Sequence, residues 1–161
     1  MSYVNYLKAT NLLLKCDDYH SGGGKSLYTV ERAEKILDVA FSKQIKDYLT
    51  TFGCVSFSEH EMDGIAKDTF DDFTTLAGNM VEMTLFFRQN HGLPKKWLPI
   101  YCFGYNGYYG YLDHSQLNAD GEPPVIMAMF DGEKYIIVER VAEDFGDFLL
   151  ELVENCLNNQ Q

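Results

Sequence analysis

The chain predicts an α+β domain, an antiparallel β-sheet flanked by α-helices, and three observations point there. Residues 98–103 with 108–112, and 125–130 with 133–139, read as two β-hairpins in succession. The links between their strands, Gly104-Tyr105-Asn106-Gly107 and Asp131-Gly132, carry Asn-Gly and Asp-Gly, which supply the positive φ angles of a two-residue type I′ turn. Apolar residues recur at helical spacing on both sides of this meander. The expected architecture is therefore a meander of two hairpins plus an additional strand, with helices packed around it.

The elements follow in order. Residues 3–15 carry Val4, Leu7, Leu13 and Leu14 at helical spacing. Asp17-Asp18 and Gly22-Gly23-Gly24 mark residues 16–26 as a loop, the glycines serving as a flexible connector. Thr29 is placed to cap a helix with Val30, Ala33, Ile36 and Leu37 on one face. Ser42 caps a second, with Ile45, Tyr48, Leu49 and Phe52 inward and Gly53 as its stop. Alternation makes 55–57 a short strand, and 60–64 reads as a turn or bulge. Residues 65–78 are acidic and irregular. Asn79 is placed to cap a helix through Arg88, with Met80, Met83, Thr84 and Phe87 packed; Gly92 and Pro94 end it. Residues 118–124 join the two hairpins. Asp144 opens a last helix carrying Phe145, Phe148, Leu149, Leu152, Val153 and Cys156, and residues 158–161 are expected to fray.

A chain of 161 residues suits one domain, long enough to bury roughly 70% of its unfolded surface. Eleven tyrosines and eleven phenylalanines against the single Trp97 predict an aromatic core. Charge is the unusual quantity: 24 acidic against 13 basic residues leave a net −11. Such a surface repels nucleic acid and anionic membrane and attracts basic partners. The amino terminus has no basic segment followed by an apolar run, and no apolar stretch approaches the ~20 residues of a membrane span, so a cytoplasmic protein is expected. Cys16, Cys54, Cys102 and Cys156 are scattered, as expected of reduced, buried thiols.

Catalytic motifs fail on inspection. Gly22-Gly23-Gly24-Lys25-Ser26 resembles the end of a phosphate loop, but Tyr19 stands where the first glycine belongs and no apolar strand precedes it. Cys54 with His60, and Cys102 with Asp113-His114, pair a thiol with a base only by proximity in sequence. The four histidines have no zinc spacing, and residues 68–72 lack the alternation of a calcium loop; no metal and no cofactor is expected. Tyr101, Tyr105, Tyr108, Tyr109 and Tyr111 crowd one hairpin. Alternation sets Tyr109 and Tyr111 on one face and Tyr108 on the other, and exposed members would make good interface anchors.

Several segments resemble the SUKH superfamily in order and spacing. They are Ala33-Glu34-Lys35-Ile36-Leu37 through Phe41-Ser42-Lys43-Gln44-Ile45 to Phe52-Gly53, then Phe57-x-x-His60-Glu61-x-x-Gly64-Ile65. Asn79-x-Val81-x-x-Thr84-x-x-x-Arg88, Leu93-Pro94, Trp97-x-Pro99-Ile100, Gly104-Tyr105-Asn106-Gly107 and Phe145-x-x-Phe148-Leu149 continue it, over about residues 28–153. The chain departs at Phe41-Ser42, where many members have Leu-Pro, and at Asn106-Gly107, where several have Asp-Gly. The superfamily holds Smi/Knr cell-wall regulators of fungi and many bacterial immunity proteins that neutralise toxins by binding them. The resemblance implies a non-catalytic fold whose contacts vary between members. With the charge it leads to the expectation of an immunity protein that occludes the active site of a cognate toxin, a basic nuclease domain. Glu59, Glu61, Asp63, Asp68, Asp71 and Asp72 are the candidates for attraction, with Tyr105, Tyr108 and Asp113 as anchors. Two alternatives remain: a regulatory scaffold binding cellular proteins, and a small hydrolase using Cys102, Asp113 or His114. Oligomeric state is left open.

Overall fold

The structure is a computed structural model describing residues 2–104 and 107–160. Among these, seven strands form one antiparallel sheet in chain order: β1 (His20–Ser21), β2 (Val55–Phe57), β3 (His60–Met62), β4 (Trp97–Cys102), β5 (Tyr109–Asp113), β6 (Val125–Phe130) and β7 (Tyr135–Ala142). The helices are α1 (Ser2–Leu13), α2 (Leu27–Leu37), α3 (Lys43–Thr51), α4 (Met80–His91) and α5 (Phe145–Asn159). This is the expected α+β class, and the meander is β4 to β7.

The sheet's centre is apolar on both faces because its strands alternate between two clusters. Leu98, Ile100, Leu112 and Val125 join the large core with Val30, Ala33 and Leu37 of α2, Ile45, Tyr48 and Leu49 of α3, and Phe145, Phe148, Leu149 and Val153 of α5. Their neighbours Trp97, Tyr111, Ile126 and Ala128 form a second cluster with Leu93, against which Phe87, Tyr109 and Tyr135 pack. Tyr109 and Tyr111 thus share a face, as their alternation predicts. Register shifts between Pro99 and Tyr101, where proline has no N–H to give the ladder.

Helix ends are set by caps, several of them tertiary. Ser26, not Thr29, opens α2, its hydroxyl accepting from Thr29 N at 3.2 Å. Thr29 instead donates from its hydroxyl to Asp68 Oδ1 at 3.3 Å. Ser42 caps α3 and Asp144 caps α5 as expected. Glu122 reaches from the β5–β6 link to accept from Gln44 N at 3.2 Å, and Gln44 Oε1 accepts from Gly146 N at 2.7 Å. The first turns of α3 and α5 are therefore satisfied by distant residues. Asn79 makes no side-chain cap; its amide donates to Thr75 O at 2.7 Å, and α4 continues to His91.

Other expectations are corrected by tertiary pairing. Residues 60–62 are a strand rather than a turn, because Phe57 pairs with His60 and Met62 with Tyr101. The second hairpin is a four-residue loop, not a two-residue turn. Phe130 pairs with Tyr135, and Asp131 Oδ1 closes the loop by accepting from Glu133 N and Lys134 N at 2.8 and 2.9 Å. The first hairpin's turn lies partly outside the described residues. Two glycines of the run are closely packed: a Cβ on Gly22 would lie 2.6 Å from Cys54 Sγ, and one on Gly24 2.0 Å from Thr50 O. The carboxy-terminal end is docked, with Gln160 Oε1 accepting from Asp17 N at 2.8 Å. In α1 the buried residues are Tyr6, Ala9 and Leu13, while Val4 and Leu7, and Leu14 in the turn that follows, face solvent. Among the cysteines, Cys16 and Cys156 are buried, Cys54 is half-buried and Cys102 is exposed.

Candidate protein-binding face

The β2–β3 hairpin carries an acidic surface. Its tip, Ser58-Glu59, is tied down by Ser58 N donating to Asp17 O at 2.7 Å, and Ser58 adopts a left-handed φ of 51°. Alternation turns Met62 into the core and Glu61 outward. Asp18, Ser56, Ser58, Glu59, His60, Glu61 and Cys102 line an open depression of about 490 Å³. Three carboxylates meet there and no lysine or arginine lines the hollow. Glu61 and Ser56 also border a second hollow of about 210 Å³, between Gly22 and Ala77-Gly78. Glu61 therefore faces both hollows.

His60 gives this face a rigid floor. Its ring lies 5.4 Å from Phe57, and its Nδ1 is 2.5 Å from the Tyr101 hydroxyl. Burial lowers the imidazole pKa, opposed by the charge of Glu59, and burial pushes Tyr101 up to about 12. Both groups are neutral near pH 7, so the net sign of the hollow comes from the carboxylates. Burial pushes the Cys54 thiol up, away from the thiolate a Cys54–His60 dyad would need. His114 is buried, and burial lowers its imidazole to about 4 against the raising effect of the Leu112 and Lys96 backbone.

The remaining candidates divide. Asp63 is buried and holds structure: Gly78 N donates to its Oδ1 at 3.1 Å and the Tyr109 hydroxyl donates to its Oδ2. The Tyr48 hydroxyl lies 2.9 Å from the Asp63 carbonyl oxygen. Asp113 is buried too, accepting from Ser115 N at 3.0 Å and from Gln116 Nε2 at 2.7 Å in a turn after β5. Neither offers charge or contact area to a partner. Asp68 is exposed but fastened to α2, its carbonyl accepting from Arg32 at 3.1 Å while that guanidinium stacks 5.2 Å from Phe70. Asp72 pairs with Lys67 at 2.7 Å; that ammonium and Thr74 hold its carboxyl well below the usual range. Asp71 is exposed, Tyr108 is half-buried, and Tyr105 lies outside the described residues. Among the described candidates, Glu59 and Glu61 are brought together in this hollow, and the carboxylate joining them, Asp18, was legible in sequence only as part of a loop.

No helix among the described residues is long and apolar enough to cross a membrane. No curated protein sequence matches the chain. A family model described as SMI1-KNR4 cell-wall, SUKH_6, matches residues 28–149. That span runs from the first turn of α2 into α5 and contains the whole β2–β7 sheet with its acidic hairpin. The chain belongs to the SMI1-KNR4 family of the SUKH superfamily.

Proposed function

We propose that this protein is a cytoplasmic immunity protein that binds a cognate toxin, a basic nuclease domain, and occludes its active site. Family membership supports a role in protein–protein interaction. The observation that carries the finer reading is the hollow where Asp18, from the segment before β1, meets Glu59 and Glu61 of the β2–β3 hairpin with no lysine or arginine lining it. A nuclease must present cationic groups to bind phosphates, and a carboxylate surface competes for those groups. The net charge of −11 adds long-range attraction. Asp71 and the half-buried Tyr108 remain candidates for the rim of the contact.

The test is binding to the toxin domain encoded in the neighbouring reading frame. Tight association is expected, with an on-rate that falls steeply as salt rises. No binding at micromolar concentrations overturns the reading. The family description as cell-wall regulators favours a second reading, a regulatory scaffold; capture of cell-wall enzymes in place of a toxin would select it.

A further inference from the structure

A groove separates α5 from β7, the last strand of the sheet. Phe148, Glu151, Leu152 and Asn155 of α5 recur at steps of three, one and three residues, so they share one stripe of the helix. They face Glu139, Arg140 and Val141 of β7, and Phe103 just beyond β4, across a hollow of about 270 Å³. Strand β7 contributes three successive residues because its ladder is irregular there. Ile126 pairs with Arg140 and Val125 with Ala142, which leaves Val141 unpaired. Such a bulge re-aims the side chains around it. The floor is apolar: Phe148 is buried, and Phe103, Val141 and Leu152 are half-buried against the core. Phe103 and Phe148 meet edge to face at 6.0 Å, and Tyr101 packs on them at 5.0 and 5.4 Å, which holds the floor in place.

We propose that this groove is a socket for an arginine side chain of a partner protein. The stem lies over Phe103, Val141, Phe148 and Leu152, and the guanidinium meets Glu139 and Glu151. Charge selects this occupant. Glu139 and Glu151 are exposed and make no ion pair among the described residues. The cation that lines the groove, Arg140, is paired with Glu143 at 2.8 Å. The walls therefore carry two carboxylates without a paired cation, above an apolar floor. A wholly apolar side chain uses only the floor, and an anion is repelled. Arginine uses both: its stem covers apolar surface, and its flat guanidinium stacks on aromatic rings and forks onto carboxylates. Free arginine brings a carboxylate of its own, which these walls and the net charge of −11 repel. An arginine within a protein chain does not. Size agrees, because about 270 Å³ is below the roughly 300–1,000 Å³ of small-molecule sites. A strand added along β7 is disfavoured, since the ladder skips Val138 as well as Val141 and a bulged edge resists pairing. The groove shares no lining residue with the hollow of Asp18, Glu59 and Glu61, so it stands apart from the toxin reading.

Heteronuclear NMR of the full chain, titrated with N-acetylarginine methylamide, N-acetylcitrulline methylamide and free arginine, tests this. The capped arginine is expected to shift the resonances of Phe103, Val141, Phe148 and Leu152 saturably, with a dissociation constant on the order of 1–10 mM. Capped citrulline, the same stem with a neutral head, should bind at least about threefold more weakly. Free arginine should also bind more weakly. Glu139→Gln with Glu151→Gln should abolish the preference for arginine over citrulline and leave Tm unchanged, since both side chains are exposed. Glu59→Gln with Glu61→Gln should leave the titration unaltered. No toxin enters the experiment, so its failure and the failure of the toxin reading are seen separately. Absence of saturable shifts at the four floor residues up to about 50 mM overturns the inference. So does equal binding of capped citrulline or of free arginine, or a preference that survives the Glu139→Gln and Glu151→Gln changes.

Discussion

Asp63 and His114 are buried ionisable groups with opposite pH signatures. Burial raises the Asp63 carboxyl to about 6, against the lowering effect of its bonds from Tyr109 and Gly78. The folded state then binds a proton more readily than the unfolded chain, whose aspartate titrates near 3.9. That contribution is present in full below about pH 4 and lost as pH rises through about 6, roughly 3 kcal/mol in all. His114 runs the other way. Burial lowers it to about 4, so its contribution is present above about pH 6.5 and lost as pH falls through about 4. The two slopes oppose each other between pH 4 and 6.5. Asp63→Asn should make stability rise with pH over that window, and His114→Leu should make it fall. Denaturant titrations at several pH values read both; parallel curves for the wild type and both variants would remove this account. Glu122, also raised by burial, adds to the Asp63 slope.

At the scale of elements, the connection before α2 behaves as a packed piece of backbone. Gly22 N donates to Cys54 O at 2.9 Å, Lys25 N to Leu49 O at 3.0 Å, and the Lys25 ammonium to Gly23 O at 2.8 Å. Gly24→Ala drives a methyl group onto Thr50 O and should cost about 2–3 kcal/mol of unfolding free energy. Gly23→Ala meets nothing within 4 Å but sits at φ +90°, and should cost nearer 1 kcal/mol. Equal, negligible effects in chemical denaturation would restore the flexible connector. The start of α3 is similarly over-determined, with Ser42 and Glu122 both serving it. Ser42→Ala should cost about 1 kcal/mol, and Glu122→Gln should cost less, because an amide oxygen still accepts from Gln44 N.

For the whole molecule the dominant property is charge. A net −11 acts over a Debye length of about 8 Å at physiological salt, so a basic partner feels it before contact. Glu59→Lys with Glu61→Lys changes net charge by +4 at exposed positions. It should slow association with the cognate toxin at least about tenfold at low salt while leaving dissociation less affected and Tm unchanged. Stopped-flow association at two salt concentrations checks it, and an unchanged on-rate would move the contact elsewhere.

How much was legible in the sequence differs from part to part. Both hairpins of the meander, the caps at Ser42 and Asp144, and the inward faces of α3 and α5 follow from local chemistry: turn residues, capping oxygens and the spacing of apolar side chains. Family membership was legible in the same way, from short motifs kept in order. The strand at 60–62 was not, because three residues of mixed polarity have no periodicity and take their register from Tyr101 across the sheet. Nor was the choice between the two stripes of α1, since Val4, Leu7 and Leu14 are as apolar as the residues that are buried. The acidic candidates show the same limit. Composition makes Asp63 and Asp113 equivalent to Glu59 and Glu61, yet the fold buries the first two in internal hydrogen bonds and leaves the others facing water. Local sequence determines which elements form and where they end, because those energies act over a few residues. Which side of α1 meets the core, and which carboxylates are buried, depends on pairings between residues far apart in the chain, and only the tertiary structure decides them.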